Sequence, residues 1–90
     1  MNDWSEQEAY LGKVRGLRIS VSVALPAEAL TEVDSLIEHG APAEGVCSLA
    51  WALHNANIAV PGWVNTAIRD LTLGQVESAH MPPRLPETVD

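Results

Sequence analysis

The feature that most constrains this chain is the stretch 41–56, which reads as a helix with apolar residues on nearly every side. Pro42 suits the first helical position, and Glu44 places a negative charge in the first turn. Val46, Leu49, Ala50 and Leu53 have the i, i+3, i+4, i+7 spacing of one buried helix face. Cys47 and Trp51 lie outside that face. Because such a helix needs cover on most sides, the sequence predicts a central helix on which the other elements pack.

Size and composition point to one globular domain. The chain has 90 residues, 47% of them hydrophobic, and contains no Phe, so its core must be largely aliphatic. Its single cysteine, Cys47, excludes an internal disulfide. Without a signal-peptide pattern at the N-terminus, a reducing cytoplasmic compartment is expected. No apolar run approaches the roughly 20 residues of a membrane span, and no membrane association is expected.

The hydrophobic pattern predicts an all-α, compact bundle of about four helices, near residues 5–20, 26–39, 42–55 and 61–73. Pro82, Pro83 and Pro86 exclude regular structure near the C-terminus. We therefore divide the chain into a helical domain, 1–80, and a flexible tail, 81–90. The predicted core consists of Leu30, Val33, Ile37, Val46, Leu49, Ala50, Leu53, Val64, Ile68 and Leu71.

The segment 19–25 is ambiguous. Ile19, Val21, Val23 and Leu25 alternate with small residues, which is the period of a strand. No second strand is evident to pair with it, and an isolated strand leaves its backbone groups unsatisfied. We favour a helix that frays before Pro26, with an extended segment completed by a second chain as the alternative.

No pattern in the chain indicates catalysis, a metal site or a cofactor. His39, His54 and His80 lack metal-ligand spacing with one another and with Cys47. There is no Gly-rich phosphate loop and no recognisable nucleophile–base arrangement. Neither catalytic, metal-binding nor cofactor-binding residues are therefore assigned, and the chain is not expected to be an enzyme.

Charge is the most informative functional signal. The net charge is −7, from 12 acidic and 5 basic residues, and no Lys or Arg occurs between Ile19 and Ile68. This balance disfavours direct binding to nucleic acid, because phosphate contacts need Lys and Arg. It favours a basic protein partner, although a merely solvated acidic face is the alternative. On the second helix, an acidic row with no base nearby to neutralise it is expected on the solvent side, formed by Glu28, Glu32, Asp34 and Glu38. The candidate partner-binding residues are Glu28, Glu32, Asp34, Glu38, Glu44, Trp51 and Trp63.

Trp51 lies toward the back of the main apolar face of the central helix. We expect either the first helix or a second molecule to cover its ring, since a chain this small covers a large ring with difficulty. A homodimer through Trp51 and the neighbouring apolar surface is therefore an alternative. If the ring is exposed, it joins the candidates for a partner interface.

The stretches 36–42, 45–53 and 58–61 resemble the Maf-type immunity proteins of bacterial polymorphic toxin systems. The shared pattern is a Leu-Ile helix end before a Gly, an Ala/Leu-rich central helix, and a short Ile-x-Val-Pro turn, and it covers roughly residues 30–71. The resemblance implies a small acidic helical protein that binds and neutralises a cognate toxin domain, often a basic nuclease. The alternative is a non-catalytic helical module for protein interaction or dimerisation.

Overall fold

The computed structural model describes residues 3–89, with the side chains of residues 5–89. Over this range the chain forms helices and turns and no strand, which confirms the predicted all-α, single-domain bundle. The helices are α1 (Asp3–Ser20), α2 (Ala27–Glu38), α3 (Pro42–Asn55) and α4 (Gly62–Thr72). Two short 3₁₀ turns cover Ser22–Ala24 and Ser78–His80.

Helix α3 is the central element, as predicted. It packs against each of the other three helices, and its interface with α2 is the most extensive in the bundle. Gly45 is the reason that α2 can come so close, because a Cβ built there would lie 3.0 Å from Cγ1 of Ile37 and 3.3 Å from the carbonyl oxygen of Val33. The absence of a side chain at this position therefore sets the spacing of the two helices.

Every residue of the predicted core is buried, with Leu53 fully enclosed. The structure adds core residues that the prediction did not include, and these come from α1, from the first turn of α3, from the connections and from the C-terminal segment: Val14, Leu17, Val21, Leu25, Ala43, Val60 and Leu85. Tyr10 ties α1 to α4, because its hydroxyl donates a hydrogen bond to the carbonyl oxygen of Leu71. Burial raises the pKa of this phenol.

Two helices end in the same hydrogen-bonded motif around a left-handed residue. At the end of α2, Gly40 has φ = 87°, and the amide of Ala41 bonds to the carbonyl of Leu36 at 2.8 Å. At the end of α3, Asn57 has φ = 57°, and the amide of Ile58 bonds to the carbonyl of Leu53 at 3.1 Å. Both are Schellman ends, which satisfy carbonyls that the helix leaves free.

The ambiguous segment 19–25 is the end of α1 followed by a 3₁₀ turn, so the favoured interpretation of a fraying helix is confirmed. No extended pairing partner is needed, because Ala24 donates its amide proton to the carbonyl of Val21 at 3.0 Å. The alternation of apolar and small residues in this segment reflects which side chains are buried, and not a strand. Val21 and Leu25 point into the core, whereas Ile19 and Val23 are exposed.

The segment expected to be a flexible tail lies against the bundle. Its described residues, 81–89, contain no regular helix or strand, as the prolines predict, but Leu85 is 3% exposed and belongs to the core. The backbone of Val60 pairs with the segment on both sides of Glu87 in an isolated parallel bridge. The burial of Leu85 could not be predicted from the sequence, because the prolines indicate only irregular structure and a single apolar residue shows no periodicity.

Candidate functional site

The acidic row predicted along α2 is divided in the structure. Asp34 accepts two hydrogen bonds from the guanidinium of Arg18, at 2.8 Å and 2.7 Å, so its charge is neutralised within the chain. Glu38 borders the same side of α2, in a groove that also contains Arg15. The expectation that no base lies near this row is therefore wrong for Asp34, and neither Asp34 nor Glu38 belongs to the site described next.

The remaining acids flank a groove between α2 and α3, here called the acidic groove. Glu32 borders it from α2, Glu44 and Trp51 border it from α3, and His80 closes one end. The described residues that line it include no Lys or Arg: Ala29, Glu32, Glu44, Cys47, Ser48, Trp51, Ala52, Asn55, Val76 and His80. Glu28 is exposed one helical turn before Glu32 and extends the negative surface.

Trp51 is the aromatic member of the acidic groove. Its indole Nε1–H donates to the carbonyl oxygen of His80 at 2.8 Å, and its ring meets that of His54 edge-on, with centroids 5.5 Å apart. The side chain is nevertheless 37% exposed. Within the chain, the 3₁₀ turn Ser78–His80 supplies the hydrogen-bond partner of the indole edge. The result is a ring that is held in place and partly open to a partner.

Cys47 lies beside Trp51 in the acidic groove and has the properties of an unreactive thiol. Its Sγ lies 3.6 Å from the carbonyl oxygen of His80, a distance typical of a weak S–H bond. Burial raises the pKa of the thiol, and the nearby charge of Glu44 adds to this effect. Because the thiolate is the reactive form, both influences keep Cys47 protonated.

Trp63 is not part of the acidic groove. It is 53% exposed at the start of α4, where it borders a separate groove between α4 and α1 that also contains Tyr10 and Leu17. The structure thus brings together only part of the predicted partner-binding set. The members that share one surface are Glu28, Glu32, Glu44 and Trp51, and the members that lie elsewhere are Asp34, Glu38 and Trp63.

The acidic groove also contains contributions that the sequence analysis did not assign to a site. His80 supplies a backbone carbonyl, which carries no sequence signal, and Asn55 adds an amide at the end of α3. Their involvement follows from the path of the chain after α4. No pattern in the sequence predicts that path.

A cavity of about 310 Å³ lies between α4 and the C-terminal segment, with Ile68, Thr72 and Leu85 among its walls. The Thr72 hydroxyl donates to the carbonyl of Ile68 at 2.8 Å, and Asn65 is bonded to Leu85, so these polar groups already have partners. No buried side-chain N or O atom lacks a partner within the described residues. Nothing in this cavity therefore points to a ligand.

Residues 3–89 include no cluster of three or more His, Cys, Asp or Glu side chains placed to share a metal ion. None of the helices in this range is both long and apolar enough to cross a membrane. The described residues form a small all-α domain with an acidic, partly aromatic groove. The sequence matches no known family model, and searches of curated proteins and of solved structures found no similar protein.

Proposed function

We propose that this chain is an immunity protein that binds a cognate bacterial toxin domain, of the basic nuclease kind, and neutralises it by occluding its active site. The observation that carries the proposal is the acidic groove, where Glu32 and Glu44 flank Trp51 with no Lys or Arg among the described lining residues. The resemblance of residues 30–71 to Maf-type immunity proteins gives the direction of the proposal.

Charge complementarity explains why such a surface suits such a partner. Nuclease domains are basic where they hold phosphate, and an acidic surface can occupy that cleft in place of the nucleic acid. Glu28, Glu32 and Glu44 are all exposed, so they act before contact by steering a basic partner toward the groove. Inhibition by this route requires occlusion alone and no reaction by the chain.

Trp51 supplies binding energy that exposed charges do not provide. Fixed aromatic side chains near the centre of an interface commonly carry much of the binding energy, whereas rim charges mainly set the rate and specificity of association. The hydrogen bond from its Nε1 to His80 holds the indole before a partner arrives, which reduces the entropy lost on binding. We assign Trp51 the role of anchor and the three glutamates the role of a charged rim.

The test is co-expression with a basic toxin domain, to be sought among the products of the neighbouring genes. The parent protein should protect growth and co-purify with that domain. Trp51→Ala should lose both properties while keeping the helical circular dichroism of the parent. Trp63→Ala is the matched control, because it removes an exposed tryptophan from the separate groove between α4 and α1. This variant should still protect growth and co-purify with the domain. Protection by Trp51→Ala that equals that of the parent would contradict the assigned anchor, and a neighbouring domain that neither harms growth nor binds would contradict the function.

A further inference from the structure

The C-terminal residues 84–89, here called the strap, occupy a site built like one that receives an extended peptide. The amide of Val60 donates to the carbonyl of Pro86 at 2.8 Å, and the amide of Thr88 donates to the carbonyl of Val60 at 2.9 Å. These two bonds add the strap to the connection between α3 and α4 in the way that a peptide adds to a strand edge.

A buried side chain completes the recognition of the strap. The Oδ1 atom of Asn65 accepts the amide proton of Leu85 at 3.1 Å, and its Nδ2 donates to the carbonyl of Leu85 at 2.8 Å. The same Nδ2 donates to the carboxylate of Glu87 at 3.1 Å. Asn65 is 8% exposed, and both the nitrogen and the oxygen of its side-chain amide bond to the strap. Such a two-point clamp on a backbone amide recognises an extended segment of defined register.

Shape adds to these bonds. The side chain of Leu85 enters the core, and Gly62 lets Glu87 lie close above the start of α4, since a Cβ there would be 3.3 Å from a carboxylate oxygen of Glu87. The acceptor site is therefore Val60, Gly62 and Asn65 with the core position that Leu85 fills. Its ligand has the pattern Leu-Pro-Glu-Thr.

The segment that connects the strap to α4 is attached to the bundle through the His80 carbonyl, which bonds to α3, and through Met81, which packs against the core. These contacts have to open before the strap can leave its own chain. Between Leu73 and Pro83 its backbone bonds stay within the segment or reach back to Thr72 and Arg69, apart from the contacts of the His80 carbonyl with α3. Leu73 is 74% exposed. Fully extended, this connection spans roughly 35–40 Å, which is enough to carry the strap to a neighbouring molecule.

We propose that the acceptor site also binds the strap of a second copy of this chain, giving a dimer in which the two chains exchange residues 84–89. Each exchanged strap makes the same bonds to Val60 and Asn65 that it makes within one chain, so the dimer needs no new interface. The strap of the same chain competes at an effective concentration in the ~mM range, and the parent protein is therefore mainly monomeric at lower concentrations.

Two full-length variants remove that competition. Leu85→Asp has a strap that cannot enter the core and an intact acceptor site, whereas Asn65→Ala has an intact strap and a damaged acceptor. Each alone should be a monomer by light scattering. An equal mixture should form a dimer, because the strap of the Asn65→Ala chain can bind the acceptor of the Leu85→Asp chain. A mixture that remains monomeric at every concentration tested would overturn the proposal.

Two further measurements keep the test decisive if Leu85→Asp does not fold. Leu85→Ala takes its place in the mixture and is also titrated with a synthetic peptide of residues 82–90, with the NMR signals of the Asn65 side-chain amide as readout. Saturable binding is expected, and a peptide carrying the Leu85→Asp change should not bind. The parent chain, refolded at increasing concentration, should yield a growing dimer fraction, and a monomer at all concentrations would count against exchange.

Discussion

Arg18 at the end of α1 and Asp34 on α2 form a two-point ion pair, with Nε–Oδ1 and Nη2–Oδ2 distances of 2.8 Å and 2.7 Å. The pair links two helices that share few other contacts. The Arg18 side chain is 24% exposed and that of Asp34 is 42% exposed, so solvent screens part of the attraction. The pair therefore joins α1 to α2 and neutralises the charge of Asp34 at the surface.

The first prediction concerns the strength of this ion pair. Arg18→Gln and Asp34→Asn should each destabilise the protein slightly, and a double-mutant cycle should give a coupling of about 1 kcal/mol, the upper end for exposed pairs, because the geometry is bidentate. Urea denaturation of the four proteins measures it. A coupling indistinguishable from zero would show that the pair has no part in positioning α1.

The second prediction concerns the close approach of α2 and α3. An alanine in place of glycine within a helix gains up to about 1 kcal/mol, and Gly12→Ala should realise this gain because nothing lies within 4 Å of the added Cβ. At Gly45 the added Cβ would press on Ile37 and the backbone of Val33, at a cost of about 1–3 kcal/mol. Thermal or chemical unfolding should rank Gly12→Ala above the parent and Gly45→Ala below Gly12→Ala. Equal stabilisation by both changes would refute the packing role of Gly45.

The third prediction concerns the core around α3. Leu53 is fully buried, so Leu53→Ala should lower the free energy of unfolding by about 2–5 kcal/mol. Leu73 is 74% exposed, and Leu73→Ala is the matched control, with an expected change within about 0.5 kcal/mol. A Leu53→Ala protein as stable as the control would defeat the assignment of the core.

The fourth prediction concerns the strap at low pH. The hydrogen bond from Asn65 lowers the pKa of Glu87 below its ordinary value of 4.5, with desolvation opposing this effect and Arg84 adding to it. A carboxyl whose pKa is lower in the folded state stabilises that state above its unfolded pKa, and this contribution is lost as the pH falls through the folded pKa. Protection of the Thr88 amide from hydrogen exchange should therefore decline below about pH 4.5, after correction for intrinsic rates.

Glu87→Gln is the control for this pH effect. The amide can still accept the hydrogen bond from Asn65 but does not titrate, so protection of Thr88 should be independent of pH across the same range. The same experiment reports on the predicted flexibility of residues 81–90, because a free tail shows no protection of Thr88 at any pH. An identical pH profile for Glu87→Gln and the parent would exclude Glu87 as the titrating group.

Hydrophobic spacing was sufficient to predict the helices and most of the core that α2, α3 and α4 contribute. Val46, Leu49 and Leu53 recur with the period of a helix, and Gly40 marks an end because it readily adopts a positive φ. These are local properties, which a sequence expresses directly. The central position of α3 followed from the same pattern, since apolar residues on most of its sides require neighbours there.

The parts that the sequence did not predict depend on contacts between distant segments. Arg18 neutralises Asp34 only because the end of α1 lies beside α2. Trp51 is fixed by a backbone carbonyl, and because every residue has one, the sequence does not indicate which carbonyl forms the bond. Leu85 is a single apolar residue among prolines, and Asn65 is polar on a buried face. The sequence therefore predicted the glutamates and the tryptophan of the candidate site. The structure was needed to show which of the predicted residues lie on one surface.

We propose that a basic toxin domain binds in the acidic groove. The most direct test of this proposal measures the association rates of such a domain, once identified, with two variants of equal net charge. One carries Glu28→Gln, Glu32→Gln and Glu44→Gln in the acidic surface. The other carries Glu6→Gln, Glu8→Gln and Asp70→Asn, all at exposed positions away from that surface.

At low salt the acidic-surface variant should associate about tenfold more slowly than the parent, because exposed charges of a complementary surface steer the encounter. The control variant should lose much less, and high salt should bring all three proteins to similar rates by screening. Equal association rates for the two variants at low salt would contradict the account, since the glutamates of the acidic groove would then contribute nothing beyond net charge.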